Sequence, residues 1–389
     1  MPFRFTMRRS PSRGEAGPVK VSSALATQLS LRAVGLCSLA EATSCRRGAI
    51  DSRLGLLPAP RTRYRAMSDD FSEFSCETAA SAYNCLVVCG PTASGKTALG
   101  VQLALDLGGE ILSADSRQVY RGMDIGTGKD LHEYATPRGS VRYHLMDIVD
   151  PTEIYSVFDY QRDAYRLFRE LSSRRCLPVL VGGTGLYIEA VVRTFNIPDV
   201  PADRVFRDTM MERSLEDLVE DLKRRSPERH GSTVLSCKRR VVRALEVVHY
   251  TERFGPPPVN ETDFEFRPLA LLVSWPREEL RERVRRRLLE RLEAGMVEEV
   301  RILLGQKIPG WRYDLFGMEY KHVARYLRGE VSRDGMIDDL HRDIMYLARR
   351  QETYFRGMKK RGIELHTIER ASLDQARGIL GRSRFLASG

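Results

Sequence analysis

Residues 85–97 read Cys-Leu-Val-Val-Cys-Gly-Pro-Thr-Ala-Ser-Gly-Lys-Thr. The first five are apolar and Val-rich, which predicts a short strand buried on both faces of a parallel sheet. Gly90-Pro91-Thr92-Ala93-Ser94-Gly95-Lys96-Thr97 follows without a spacer and fits G-x-x-x-x-G-K-[ST], the phosphate-binding P-loop. Leu99, Leu103 and Leu107 then recur every four residues, on one face of a helix. Strand, loop and helix in that order turn backbone N–H groups and the positive end of a helix toward an anion. Lys96 adds a point charge, and the Thr97 hydroxyl is a ligand for Mg²⁺. The motif specifies phosphate. Neither the phosphate compound nor the reaction follows from it.

Two more strand ends carry chemistry. Glu110–Ala114 predicts a second strand, and it ends in Asp115-Ser116-Arg117-Gln118. Ligands of open α/β sheets bind at the carboxyl ends of strands. A carboxylate at Asp115 suits a metal ligand or a general base. It suits equally the Asx turn or helix cap that Asp-Ser favours, and the residues alone leave both readings open. Leu177–Val181 predicts a third strand running into Gly182-Gly183-Thr184-Gly185, where glycine permits close backbone approach and Thr184 can donate to an anion. After Pro198 and Pro201 the pattern changes to charged helices, with Arg/Lys clusters at 223–225 and 238–240. Leu269–Ser274 reads as a further strand of the main sheet. Leu280, Val284, Leu288, Leu292 and Met296 recur every four residues through an Arg-rich stretch, which marks an amphipathic helix with a basic face.

The expected fold class is α/β: a P-loop-type parallel sheet core with a helical insertion domain and a helical C-terminal part. The expected divisions are a disordered extension over 1–82, core over 83–196, helical insertion over 197–266, core completion with basic helices over 267–370, and a tail over 371–389. Across 389 residues, 42% are hydrophobic and 29% charged, which excludes a wholly disordered or fibrous chain. The net charge of +10 fits a polyanionic partner. No uncharged apolar run approaches the ~18 residues of a membrane-spanning helix. The seven Cys are scattered without a C-x-x-C pair, which predicts free thiols in a reducing compartment and no zinc site. Residues 1–66 hold twelve Lys/Arg against Glu15, Glu41 and Asp51, the composition of an organelle transit peptide. Import into a mitochondrion or plastid is expected if that segment is such a peptide, and a cytoplasmic location otherwise. The plainer readings are a disordered extension or a wrongly chosen start codon.

The blocks GPTASGKTAL, SADSRQVYRGMDIGTGK, YHLMDIVDP, YSVFDYQRDA, PVLVGGTGLYI, RRVVRALEV and RRQETYFR follow one another in order. Together they resemble the tRNA dimethylallyltransferase (tRNA isopentenyltransferase) family, from about residue 85 to about residue 368. The resemblance implies transfer of a dimethylallyl group from its diphosphate to N6 of adenosine 37, beside the anticodon. The P-loop then holds a leaving group. By similarity, Gly90 to Thr97 bind the diphosphate, with Lys96 and Thr97 acting in catalysis and Thr97 on Mg²⁺, while Arg243 is the second cation and Asp115 the base. Asp115, Ser116, Arg117 and Gln118 would meet the target base, and Gln118 would offer its amide to adenine. Thr184, Arg207, Arg239, Arg240 and Arg243 would meet the anticodon stem-loop of the tRNA. A monomer without membrane contact is expected. Rival readings are an adenylate isopentenyltransferase acting on free adenine nucleotides, a P-loop kinase or NTPase, and a non-catalytic RNA-binding protein. Three positions depart from the family pattern: Tyr354 stands where Trp is common, Phe316–Lys321 replaces a shorter Gly-Tyr-Lys/Arg-Glu, and Ser236-Cys237-Lys238 replaces an Asp- or Asn-Pro lead-in.

Overall fold

Every residue of β1, Cys85–Cys89, is buried, because both faces of this strand are covered. Leu86 and Val88 pack on one side of the sheet with Leu99, Leu103 and Ile111. Cys85, Val87 and Cys89 pack on the other with Tyr160, Phe168 and Phe355. Burial raises both cysteine thiols, Cys85 and Cys89, to about 12, so they behave as small apolar side chains. The computed structural model describes residues 83–306, 308 and 313–383, all within one compact unit, Ser75–Gly389. The 1–82 extension and its targeting expectation lie outside the described residues.

The remaining strands are β2 (Gly109–Ser113), β3 (Ala135–Thr136), β4 (Gly139–Ser140), β5 (Tyr143–His144), β6 (Leu177–Gly182), β7 (Pro268–Ser274) and β8 (Leu365–Glu369). Six of the eight form one parallel sheet in the order β5-β2-β6-β1-β7-β8, and β3 and β4 form a small antiparallel pair. Helices α1 (Lys96–Leu107), α2 (Val157–Ser173) and α3 (Gly185–Val192) belong to the first part of the core. Four helices follow: α4 (Arg204–Glu212), α5 (Leu215–Arg225), α6 (Pro227–Ser232) and α7 (Lys238–Phe254). They include a small core of their own, made by Leu218, Leu222, Val241, Leu245 and Val248. The chain then supplies β7, α8 (Arg277–Glu293), α9 (Met296–Leu304), α10 (Tyr313–Phe316), α11 (Met318–Leu327) and α12 (Arg333–Lys360). It ends in β8 and α13 (Leu373–Arg382). No helix of the described residues is long and apolar enough to cross a membrane.

Two elements differ from the sequence reading. Strand β8 pairs along β7 from Ala270↔Leu365 to Ser274↔Glu369 and closes that edge of the sheet. Residues 371–389 are not only a tail, because α13 is capped by Ser372 and buries Ala376 and Leu380 against the α1 side of the sheet. A short helix with so few apolar positions is weakly marked in sequence, and its burial is set by the neighbouring strand.

The sheet brings the carboxyl ends of β1, β6 and β2 side by side. Cys89 is level with Gly182, and Val181 with Ser113. Gly182 is needed for that approach, since a Cβ there would overlap the Ala114 carbonyl. Gly182→Ala should therefore cost about 1–3 kcal/mol, the usual penalty of overpacking, and loosen the β2–β6 end. Urea denaturation is expected to show the loss as a lower midpoint at an unchanged slope.

Candidate active site

Gly95 has the left-handed φ of 83° and offers no side chain to cap α1, so the first N–H groups of that helix have no partner within it. The loop before it is held by its carbonyls. Lys96 Nζ donates to Pro91 O (3.1 Å), Arg283 Nε to Ala93 O (3.0 Å) and Trp275 Nε1 to Ser94 O (2.8 Å). The Arg283 guanidinium also stacks on the Trp275 ring, 4.1 Å from its centroid. Gln351 of α12 ties two strand ends together: its Oε1 accepts from Thr92 N (2.8 Å) and its Nε2 donates to Gly183 O (3.0 Å).

A cavity of about 590 Å³ opens beside this loop, bordered by Lys96, Thr97, Asp130, Glu133, Arg283, Arg287 and Arg291. Three of its bordering side chains, at Ser94 Oγ, Glu133 Oε2 and Arg291 Nε, are buried without a hydrogen-bond partner among the described residues. Burial lowers the Lys96 ammonium to about 8, with Arg287 and Arg291 pushing the same way and Asp115 opposing. Burial is likewise the main cause that raises the Glu133 carboxyl, helped by Asp130.

Lys96 and Thr97 also border a second, smaller cavity, which holds Asp115, Gln118, Gly182 and Gln351. The Asp115 carboxylate lies there. Its Oδ1 accepts from Arg117 N (3.0 Å), the Asx turn, while Oδ2 accepts no hydrogen bond among the described residues. The Gln118 amide is engaged at both ends, accepting from Ser113 Oγ (2.7 Å) and donating to Gly128 O (2.9 Å). It is thus a fixed part of the wall, with one N–H not used among the described residues. Thr184 Oγ1 accepts from Ser116 N (3.1 Å) and joins the β2 and β6 turns. Arg117 is bound to the buried Glu319 of α11 at 2.5 Å. The Phe316–Lys321 segment that departs from the family pattern therefore supports the site from behind.

The far wall is the loop after Gln118. Buried Lys129 bonds Tyr120 O, Asp124 and Asp147, and the Glu299 carboxylate of α9 accepts from the amides of Asp124, Ile125 and Gly126. Tyr320 Oη donates to Glu299 at 2.7 Å. Tyr354 donates its hydroxyl to buried Glu189 (2.8 Å), which Arg361 also holds, so Tyr at this position anchors α12 to α3.

Arg243 borders neither of these two cavities. Its guanidinium is bound to Glu246 (2.5 Å) and the Val200 carbonyl (2.9 Å), and Arg207 clasps the same Glu246 through two hydrogen bonds. Glu246 lies three residues on along the same helix, which is why it captures Arg243. The cations that do face the loop come from α8. Arg283, Arg287 and Arg291 are spaced four apart, each one residue before the buried stripe of Val284, Leu288 and Leu292. That border position was the available signal, since side chains flanking an apolar stripe become half-buried. Arg239 and Arg240 are exposed on α7 and make no ion pair among the described residues.

The chain resembles known proteins over most of its length. A family model described as IPP transferase matches residues 118–358. A tRNA dimethylallyltransferase 1 of Geotalea uraniireducens is 46% identical over 286 residues, covering 74% of this chain and 92% of that one. A tRNA dimethylallyltransferase 2 of Pelobacter propionicus is 44% identical over 310 residues, covering 79% and 97%. Among solved structures, a tRNA isopentenylpyrophosphate transferase from Bacillus halodurans is 34% identical with a TM-score of 0.54, covering 78% of this chain and 96% of that chain. A eukaryotic dimethylallyltransferase acting on tRNA shares the fold at a TM-score of 0.63 and 21% identity, over 78% and 80%. With the model spanning more than half of the sequence and relatives above 40% identity matched nearly end to end, the chain that builds this cation-lined loop belongs to the IPP transferase family.

Proposed function

We propose that this enzyme transfers the dimethylallyl group of dimethylallyl diphosphate to N6 of adenosine 37 in the anticodon stem-loop of tRNA and releases diphosphate. The observation that carries the reading is that Lys96 and Thr97 border both cavities, the cation-rich one and the one holding Asp115. A leaving diphosphate and an attacking amine would meet across those two side chains. The relatives' names supply tRNA as the acceptor. Exposed Arg239 and Arg240 suit the phosphates of a large RNA better than a free nucleotide.

In the reaction the N6 lone pair forms a bond to C1 of the allyl group. The C1–O bond breaks and its electron pair leaves with the diphosphate. The N6 proton goes to Asp115 Oδ2, the oxygen left over from the Asx turn. Loop amides, Lys96 and Arg287 stabilise the growing charge on the departing oxygen. The donor set suits Mg²⁺: the Thr97 hydroxyl and the unpartnered Glu133 Oε2 border one cavity, and few hard oxygen ligands match a cation that takes the rest from phosphate and water. When bound, Mg²⁺ would neutralise negative charge on the diphosphate.

Incubation with dimethylallyl diphosphate and either unmodified tRNA or AMP tests the reading by mass of the product. Prenylated adenosine is expected in tRNA only, and product from AMP alone would overturn it. Asp115→Asn should slow single-turnover prenylation by roughly 10²–10⁴ while tRNA binding persists, because an amide still accepts from Arg117 N.

Lys96 gives a pH signature. Its ammonium is charged below about pH 8 and neutral above. Donor binding favours the charged form, so affinity should be flat from pH 7 and then fall above 8, by up to about tenfold per unit. Lys96→Arg should keep its charge and remove the bend. Equal pH profiles for the two proteins, read by titration calorimetry, would take Lys96 out of this role.

A further inference from the structure

Arg291 of α8 is the least satisfied cation near the loop. Its Nε is buried without a hydrogen-bond partner among the described residues, and its Nη2 lies 3.7 Å from Asp130 Oδ2. The guanidinium sits against the backbone at Gly128, where a Cβ would collide with it. It borders the cavity of Lys96 and Thr97, the cavity of Asp115 and Gln118, and a third small space beside Thr92 and Ala93. Burial lowers it to about 10, with Arg287 adding to the effect. A buried guanidinium that lacks full pairing is unfavourable unless an anion completes its fork.

Asp130 is that anion in part. The same Oδ2 accepts from Arg287 Nη2, so one carboxylate oxygen stands between the two arginines. Its backbone has a left-handed φ of 45°, a conformation that Asp tolerates better than most residues. It occupies the N-cap of the 3₁₀ turn Leu131–Tyr134, yet its side chain makes no capping bond. Capping is the usual work of Asp at that position, and here the carboxylate is committed to the arginines instead.

We propose that Arg291 binds the diphosphate of the prenyl donor together with Arg287, and that Asp130 is an internal anion held in this two-arginine clamp and displaced when diphosphate enters. The inference rests on the donor reading given above. Diphosphate offers several oxygens where Asp130 offers one, so it satisfies both forks and the orphaned Nε at once. Asp130 keeps two like charges from repelling in the free enzyme and competes with the ligand, which sets donor affinity below the level the cations alone would give. Released from the arginines, its carboxylate is free to cap the Leu131–Tyr134 turn.

Calorimetric titration of the full chain with inorganic diphosphate, and separately with tRNA, tests this. Arg291→Met should weaken diphosphate binding about tenfold or more and leave tRNA affinity within about twofold, the scale of one lost charge-assisted contact. Asp130→Asn should tighten diphosphate binding several-fold, and that gain should shrink in the Arg291→Met background. If the Met variant does not fold, Arg291→Lys keeps the charge, loses the fork and should show an intermediate loss. Unchanged diphosphate affinity in the folded Arg291 variant would overturn the clamp alone. Loss of tRNA affinity instead would assign Arg291 to an RNA phosphate and also overturn it. Weaker diphosphate binding by Asp130→Asn would mean that Asp130 aims the arginines, and would remove its role as competitor. A wild-type protein that does not bind diphosphate, while Lys96→Ala changes nothing, would overturn the donor reading itself and the clamp with it.

Discussion

Backbone N–H groups can face an anion only if the carbonyls beside them are held elsewhere. The rest of this molecule follows from that constraint. The loop Gly90–Gly95 has no side chain long enough to hold itself open. Its carbonyls are taken by Lys96, Arg283 and Trp275, which arrive from α1, α8 and the end of β7. The loop is thus shaped before any ligand arrives, and a preorganised site loses little free energy to rearrangement during reaction.

The same tertiary ties decide where positive charge is tolerated. Burial and the charges of Arg287 and Arg291 lower the proton affinity of Lys96, and burial and the charge of Arg287 lower that of Arg291. Such a cluster is unfavourable in the free protein and becomes favourable when a dianion enters. The wall opposite is built with the opposite logic. Lys129 is buried but paired with Asp124 and Asp147, and Glu299 is fully occupied by three amides and Tyr320. Saturated groups fix the wall, while unsaturated ones mark where a ligand binds.

What was legible in the sequence was local. Strand, loop and first helix could be read from residues 85–107 because each signal lies within a few residues of the next. Asp115 and Thr184 could be placed because strand ends share one edge of such a sheet. Trp275 and Gln351 carry no local signal for the loop, because their approach is set by how β7 and α12 pack, and the spacing of Arg287 and Arg291 marks only that they flank a buried stripe. The apolar stripe of α8 told which face is buried but not what its flank touches. Arg243 shows how a near neighbour in sequence can hold a cation. Glu246, within the same RRVVRALEV block, pairs with it. Strand β8 and α13 are weakly marked in sequence because their burial comes from β7 and α1, far away in the chain.

The Gln351 bridge spans 259 residues to Thr92 and 168 to Gly183. Contacts of such separation form late, since the intervening chain must be ordered first. During synthesis Thr92 leaves the ribosome 259 residues ahead of Gln351. A nascent chain therefore carries the motif without the brace that fixes it. The loop is braced only once α12 has emerged, and a truncated product that stops before α12 would keep the sequence motif without its shape.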